Sequence, residues 1–174
     1  MNGNPWISLP SKPPFLLPDD RRAIDEFNRH SRSKNLRIQT RMLPEPFVGS
    51  LNAPVVVLLE NPGAGGGKED FALHRQLGFQ LRVRACHRQK ETAYPHYFLA
   101  PKVDGPGARW TARILKPLIE EFGVRVVASG IVFLEYFPYH SRNFAHSRIR
   151  VPSREFTFQA LQRAIRRGAT VIIT

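Results

Sequence analysis

A chain of 174 residues with 42% apolar composition has enough material for one hydrophobic core, so a single folded unit is expected. Its 26 basic residues against 14 acidic ones give a formal charge of +12, and twenty of the basic residues are Arg against six Lys, a balance that points to a polyanionic partner, nucleic acid first. The lone Cys86 excludes an internal disulfide and any multi-thiolate zinc or iron–sulfur site, and no apolar segment reaches the ~18 residues of a membrane span, so no membrane association and a reducing, cytoplasmic setting are expected.

Residues 1–18 carry Pro5, Pro10, Pro13, Pro14 and Pro18, which disfavour regular helix and predict an extended arm anchored by Trp6, Phe15, Leu16 and Leu17; the α/β domain proper would then cover 19–174. From Asp19 or Asp20, either of which can cap a helix, Ile24 and Phe27 fall on one face and Arg21, Arg22, Asp25 and Arg29 on the other, with the pattern fading near His30. Asn35 to Thr40 alternates in the manner of an exposed edge strand. Pro44, Pro46 and Pro54 punctuate the next stretch, and Gly49 to Asn52 has turn composition.

Val55 to Leu59 is an unbroken apolar run, as expected of a central strand covered on both faces in a parallel sheet. Ligands in such sheets gather beyond the carboxyl ends of the strands, which singles out Glu60, Asn61, Pro62 and Gly63. The glycines that follow invite a nucleotide-binding P-loop, whose pattern placed on Gly67-Lys68 needs glycine at 62 and a hydroxyl at 69. The chain has Pro62 and Glu69 there, and Glu69 would repel a phosphate. The glycines up to Gly67 are better read as open main chain that a polyanion can approach.

Between residues 71 and 90 Arg75, Arg82, Arg84, Arg88 and Lys90 interleave with Phe71, Leu73, Leu77, Phe79 and Leu81 and no acid occurs, which suits either a nucleic-acid groove or a core face. An extended aromatic loop, Tyr94 to Pro101, leads to a helix start at Asp104-Gly-Pro-Gly. That helix would bury Trp110, Ile114, Leu115, Leu118, Ile119 and Phe122, kink at Pro117 and end before Gly123. After the short apolar run Val124 to Val127, Ile131 to Pro138 reads as a second buried strand ending at Glu135, followed by the turn Phe137-Pro-Tyr-His-Ser141. Neighbouring His140 and Ser141 do not make a nucleophile and base, because adjacent residues rarely meet in that geometry. Tyr139 fits a residue packed inward as well as a ligand contact. Arg142, Arg148, Arg150 and Arg154 form a third basic run. Ser153 is a good N-cap for a helix that buries Phe158, Leu161 and Ile165 and ends at Gly168, and Thr170 to Thr174 begins a third strand.

With Asn61-Pro62-Gly63 after the first strand, Phe137 to Ser141 after the second and Trp110 on the helix between, residues 44–174 resemble the uracil-DNA glycosylase superfamily. The resemblance implies a three-layer α/β/α sandwich with a central, mainly parallel sheet, and hydrolysis of the N-glycosidic bond of a base flipped out of DNA, with no metal or cofactor. On that basis Asn61 would position the attacking water and Gly63 would leave room for the nucleotide. An anionic base would leave a cationic sugar that the DNA phosphates stabilise. Phe71 is the nearest candidate to stack on the base. Glu135 stands where the superfamily has a base-reading Asn; as a carboxylate it accepts from a ring N–H and cannot donate to a carbonyl. Glu60, Pro62, Tyr139, His140 and Ser141 complete the candidate substrate contacts, and Lys68, Arg75, Arg142 and Arg148 the candidate nucleic-acid contacts. Superfamily members also have a fourth strand and a later loop with His or Asn, so the domain is expected to be incomplete at its C-terminal end. The alternative is a non-catalytic nucleic-acid-binding module on the same fold.

Overall fold

The computed structural model describes residues 3–64 and 67–174. Four strands, β1 (Phe47–Val48), β2 (Val55–Leu59), β3 (Ile131–Glu135) and β4 (Thr170–Ile173), form one open sheet in the order β1-β3-β2-β4. The long run Val55 to Leu59 is the centre of its parallel part, paired with β3 on one side and β4 on the other. The two-residue β1 adds an antiparallel edge, setting Phe47 against Leu134 and Val48 against Phe133. Seven α-helices accompany the sheet among the described residues: α1 (Pro18–His30), α2 (Lys68–Arg75), α3 (Leu77–His87), α4 (Pro106–Ile114), α5 (Lys116–Phe122), α6 (Val124–Gly130) and α7 (Arg154–Arg166). The architecture is therefore mixed α/β with a mostly parallel sheet.

Coverage falls across the sheet. Every residue of β3 is buried, only Val56 of β2 is fully so, and β4 is an edge on which Ile173 is 72% exposed. The expectation that β2 is buried on both faces thus holds fully only at Val56, the other four residues being half-buried.

The proline-rich arm is not laid over the surface. Trp6, in a 3-10 turn (Pro5–Ser8), and Phe15, Leu16 and Leu17 join the same apolar cluster as Val132 and Leu134 of β3. Arg84 of α3 holds the arm by donating to the carbonyls of Leu9 at 3.3 Å and Pro10 at 2.6 Å.

Several local expectations are corrected. Asn35 to Thr40 forms no strand, because the Asn28 side chain takes both backbone groups of Ile38, accepting its N–H at 2.8 Å and donating to its carbonyl at 2.9 Å. Pro117 does not kink a long helix. Having no N–H to donate, it ends α4 and takes the second position of a new helix, where none is needed. Trp110, Ile114, Leu118 and Phe122, expected in the core, are each partly exposed. On α7 the buried face is Phe156, Thr157, Ala160 and Ala164, whereas Phe158 and Ile165 face outward; the small alanines let the helix lie close to its neighbours. Ser153 does not cap α7 with its side chain; its backbone N–H is instead taken by Asp20.

The turn at Gly49 is required by geometry. Its φ is +123°, and a Cβ there would lie 2.7 Å from the Ile131 carbonyl oxygen and 3.0 Å from the Val132 Cα. Gly49→Ala therefore combines a forbidden backbone angle with a clash against backbone, and it is expected to lower stability by at least ~2 kcal/mol in urea unfolding.

Candidate active site

Because β2 and β3 are parallel and in register from Val55 with Ile131 to Leu59 with Glu135, the chain leaves both strands at the same edge of the sheet. The two exit loops are then joined side by side. Tyr136 N donates to Leu59 O at 2.8 Å and Phe137 N to Glu60 O at 2.9 Å. Farther out Gly63 and Ser141 form a parallel bridge, and Ala64 N donates to Ser141 O at 3.0 Å. The two motifs singled out in the sequence are thus one structural unit.

Asn61 and His140 fasten it. The Asn61 amide nitrogen donates toward Pro62 O at 3.1 Å, Tyr139 O at 3.3 Å and Ser141 Oγ at 3.0 Å. Two of these partners are carbonyls, which only accept, so the orientation of the amide follows from chemistry. His140 is held at both ends, Nδ1 against Gly63 O at 3.0 Å and Nε2 against Leu43 O at 2.8 Å. Both bonds are made at once only by a ring carrying two N–H groups. The Glu45 carboxylate faces that ring, Oε2 lying 3.9 Å from His140 Nε2.

Behind the loops lies a cavity of about 470 Å³. Asn61, Pro62 and Gly63 line it, and Phe98, Trp110 and Phe133 give it an aromatic wall, with Trp110 edge-on to Phe133 at 5.8 Å. Its polar lining is Glu45, Asp70, His74, Thr111, Glu135 and His140, all buried. Glu45 accepts from the Tyr97 hydroxyl at 2.9 Å. Burial pushes the Glu45 carboxyl up, with the Asp70 charge adding to it, while His140 and the Tyr97 bond pull it back. Burial and then the charge of Glu45 push the Glu135 carboxyl well above its ordinary range. His74 is pushed well below its ordinary value by burial and by the nearby His140. Burial therefore works against charge on Glu45, Glu135 and His74 alike, while the facing His140 ring offsets part of that effect at Glu45.

Glu45, His74 and His140 are also a ligand set of the two-histidine, one-carboxylate type, their ligand atoms all lying within 4.8 Å of one another. Both nitrogens of His140 are committed to backbone carbonyls, so gathering the three around a cation would require His140 to give up a hydrogen bond. As it stands, Glu45 is hydrogen-bonded to Tyr97 and His140 to the two carbonyls, with 3.9 Å between the carboxyl group and the ring. No family model matches this chain, and no curated protein or solved structure matches it either.

The sequence candidates divide by position. Asn61, Pro62, Gly63, Glu135 and His140 line the cavity. Glu60 is exposed and contributes only its carbonyl to loop pairing. Phe71 is half-buried and is not among the residues lining the cavity. Tyr139 is completely buried, accepting from Leu17 N at 3.3 Å and donating to Asp20 at 2.6 Å. Ser141 is buried outside the cavity, where its hydroxyl accepts from Asn61 and donates to Asn143 O at 2.8 Å. Lys68, Arg75, Arg142 and Arg148 are all exposed. Of the glycines expected to offer open main chain, Gly65 and Gly66 lie outside the described residues, and Gly67 has φ +57° just before α2. Glu45, Asp70, His74, Phe98 and Thr111 did not stand out in the sequence. The available signal was Glu45, a single acid inside the otherwise apolar, proline-flanked stretch from Met42 to Val48.

Proposed function

We propose that this protein is a base-excision hydrolase of the uracil-DNA glycosylase type, built as a three-layer α/β/α sandwich and acting on the N-glycosidic bond of a base flipped out of DNA. The observation that carries the reading is the junction of the two exit loops, which sets Asn61, Pro62 and Gly63 on the same cavity as Glu135 and the aromatic side chains Phe98, Trp110 and Phe133. An aromatic wall receives a base face, and a polar end reads its edge. Fixing the Asn61 amide nitrogen also fixes its carbonyl oxygen, the atom available to orient a water. Burial pushes the Glu135 carboxyl well above its ordinary range, toward the carboxylic acid, which unlike a carboxylate both donates and accepts. The formal charge of +12, with Lys68, Arg75, Arg142 and Arg148 exposed, supports binding to the phosphate backbone.

Release of free base from uracil-, hypoxanthine- and mismatch-containing oligonucleotides tests the reading. Excision is expected, and Asn61→Ala is expected to reduce it at least ~100-fold, in the range seen when a catalytic oxygen or donor is removed. One observation favours the other reading, a binding module without catalysis: the Asn61 amide nitrogen is wholly engaged in fastening the loops. Salt-sensitive DNA binding with no release of any base would establish that alternative.

A further inference from the structure

Three buried carboxyl groups, Glu45, Asp70 and Glu135, line the cavity behind the exit loops, and among the described residues no Lys or Arg lines it, although the chain has 26 basic residues. Buried carboxylates persist where a cation compensates them. On this wall they stand beside imidazole: Glu45 Oε1 lies 3.9 Å from His74 Nε2 and Glu45 Oε2 lies 3.9 Å from His140 Nε2. The two rings meet edge-on with their centroids 4.7 Å apart. The three side chains come from separate segments, the stretch before β1, the end of α2 and the loop after β3. Main-chain bonds fix two of them, Glu45 N donating to Pro138 O at 3.0 Å and Gln39 N to His140 O at 2.8 Å.

A zinc ion holds nitrogen and oxygen ligands at ~2.0–2.2 Å, so two ligands of a tetrahedral ion stand roughly 3.4 Å apart. The two 3.9 Å separations exceed that by about 0.5 Å, and all three ligand atoms lie within 4.8 Å of one another, distances that side-chain rotation closes. We propose that Glu45, His74 and His140 bind one divalent transition-metal ion, zinc first, with an open coordination position toward the cavity that all three line. Two imidazoles and a carboxylate suit zinc or iron(II), whereas magnesium and calcium prefer oxygen ligands throughout. The outer partners are in place as well. Tyr97 donates to Glu45 Oε1 at 2.9 Å, and His140 Nδ1 faces Gly63 O at 3.0 Å, the bond that orients a metal-bound imidazole. The ion replaces the hydrogen on His140 Nε2, which leaves as a proton to solvent, and the cost is the 2.8 Å bond to Leu43 O. The base-excision reading needs no metal, and the site stands without it.

The test is calorimetric titration of the metal-stripped whole protein with Zn²⁺, Mn²⁺ and Mg²⁺. One Zn²⁺ per chain is expected with a Kd of ~1 μM or below, Mn²⁺ weaker and Mg²⁺ without measurable binding. His74→Phe removes a buried Nδ1 that has no hydrogen-bond partner and keeps an aromatic ring against Phe79, 5.0 Å away, so the fold is expected to survive. It is expected to weaken zinc at least ~100-fold, and Glu45→Gln, which keeps an acceptor for Tyr97, at least ~10-fold. His30→Ala, at an exposed histidine, is the control and leaves the affinity unchanged. Zinc in excess is also expected to raise the urea midpoint of wild type and not that of His74→Phe. No stoichiometric zinc binding, an unchanged affinity in His74→Phe or Glu45→Gln, or Mg²⁺ bound as tightly as Zn²⁺ would overturn the proposal. Zinc binding without release of any base would keep it and remove the hydrolase reading. Excision by a protein that binds no zinc would do the reverse.

Discussion

Asp20→Ala is expected to lower the unfolding free energy by about 3–6 kcal/mol, because two hydrogen bonds to one buried carboxylate are lost at about 1.5–3 kcal/mol each. Asp20 is completely buried. One oxygen accepts from the Tyr139 hydroxyl at 2.6 Å and the other from the Ser153 backbone N–H at 3.0 Å. The carboxylate thereby ties the start of α1 to the loop after β3 and to the start of α7, three segments far apart in the chain. Tyr139 gains a further bond from Leu17 N and an edge-on contact with Trp6, its ring centroid 5.9 Å away, so the arm is attached to the same network. Removing the carboxylate leaves a hydroxyl and an N–H buried without acceptors. Tyr139→Phe removes only one of the bonds and is expected to cost about 1–2 kcal/mol. Urea unfolding of the two variants checks the ratio. Equal losses would mean that the Ser153 contact contributes nothing.

This network explains why the Phe137 to Ser141 motif was legible as important and not legible in its roles. Two of its residues, Tyr139 and Ser141, serve the junction, while His140 alone reaches the cavity. A five-residue turn places successive side chains on different sides, and which side is the ligand's depends on partners distant in sequence such as Asp20 and Glu45. The parallel strands were legible because an unbroken run of Val and Leu has one stable place in an α/β protein. The two-residue β1 was not, since Phe47 and Val48 are too short a run to carry a periodicity; beside them Pro46 O accepts from Glu135 N. The aromatic wall was only half visible: Trp110 was noted as part of a helix face, but its edge-on contact with Phe133 joins α4 to a strand distant in sequence. The upward shifts of the Glu45 and Glu135 carboxyls come from burial and from nearby charges, which spacing does not encode.

The same buried groups give the protein two opposing responses to pH, and single variants separate them. His96 is completely buried, stands edge-on to Phe133 at a ring-centroid distance of 4.5 Å, and has no hydrogen-bond partner on either ring nitrogen. Burial pushes it down from 6.5 to about 3. Below 6.5 the unfolded chain binds a proton at this ring that the folded protein refuses, so the contribution to stability falls as the pH falls. Between pH 7 and pH 5 the loss is about 2 kcal/mol, from about 1.5 units at 1.36 kcal/mol each. His96→Phe replaces the ring with an apolar one of similar shape, and its stability is expected to lose about 2 kcal/mol less than wild type over that interval. Glu135 acts in the other sense. Its folded value lies well above 4.5, so the folded protein keeps a proton that the unfolded chain releases, and its contribution is present at low pH and lost as the pH rises. Glu135→Gln removes that gain on acidification and is expected to make the loss between pH 7 and pH 5 steeper than in wild type. Urea midpoints at the two pH values for wild type and both variants decide the matter. A Glu135→Gln profile parallel to wild type would mean that Glu135 is ionised in the folded protein. The cavity would then hold a further fixed negative charge at the end of β3.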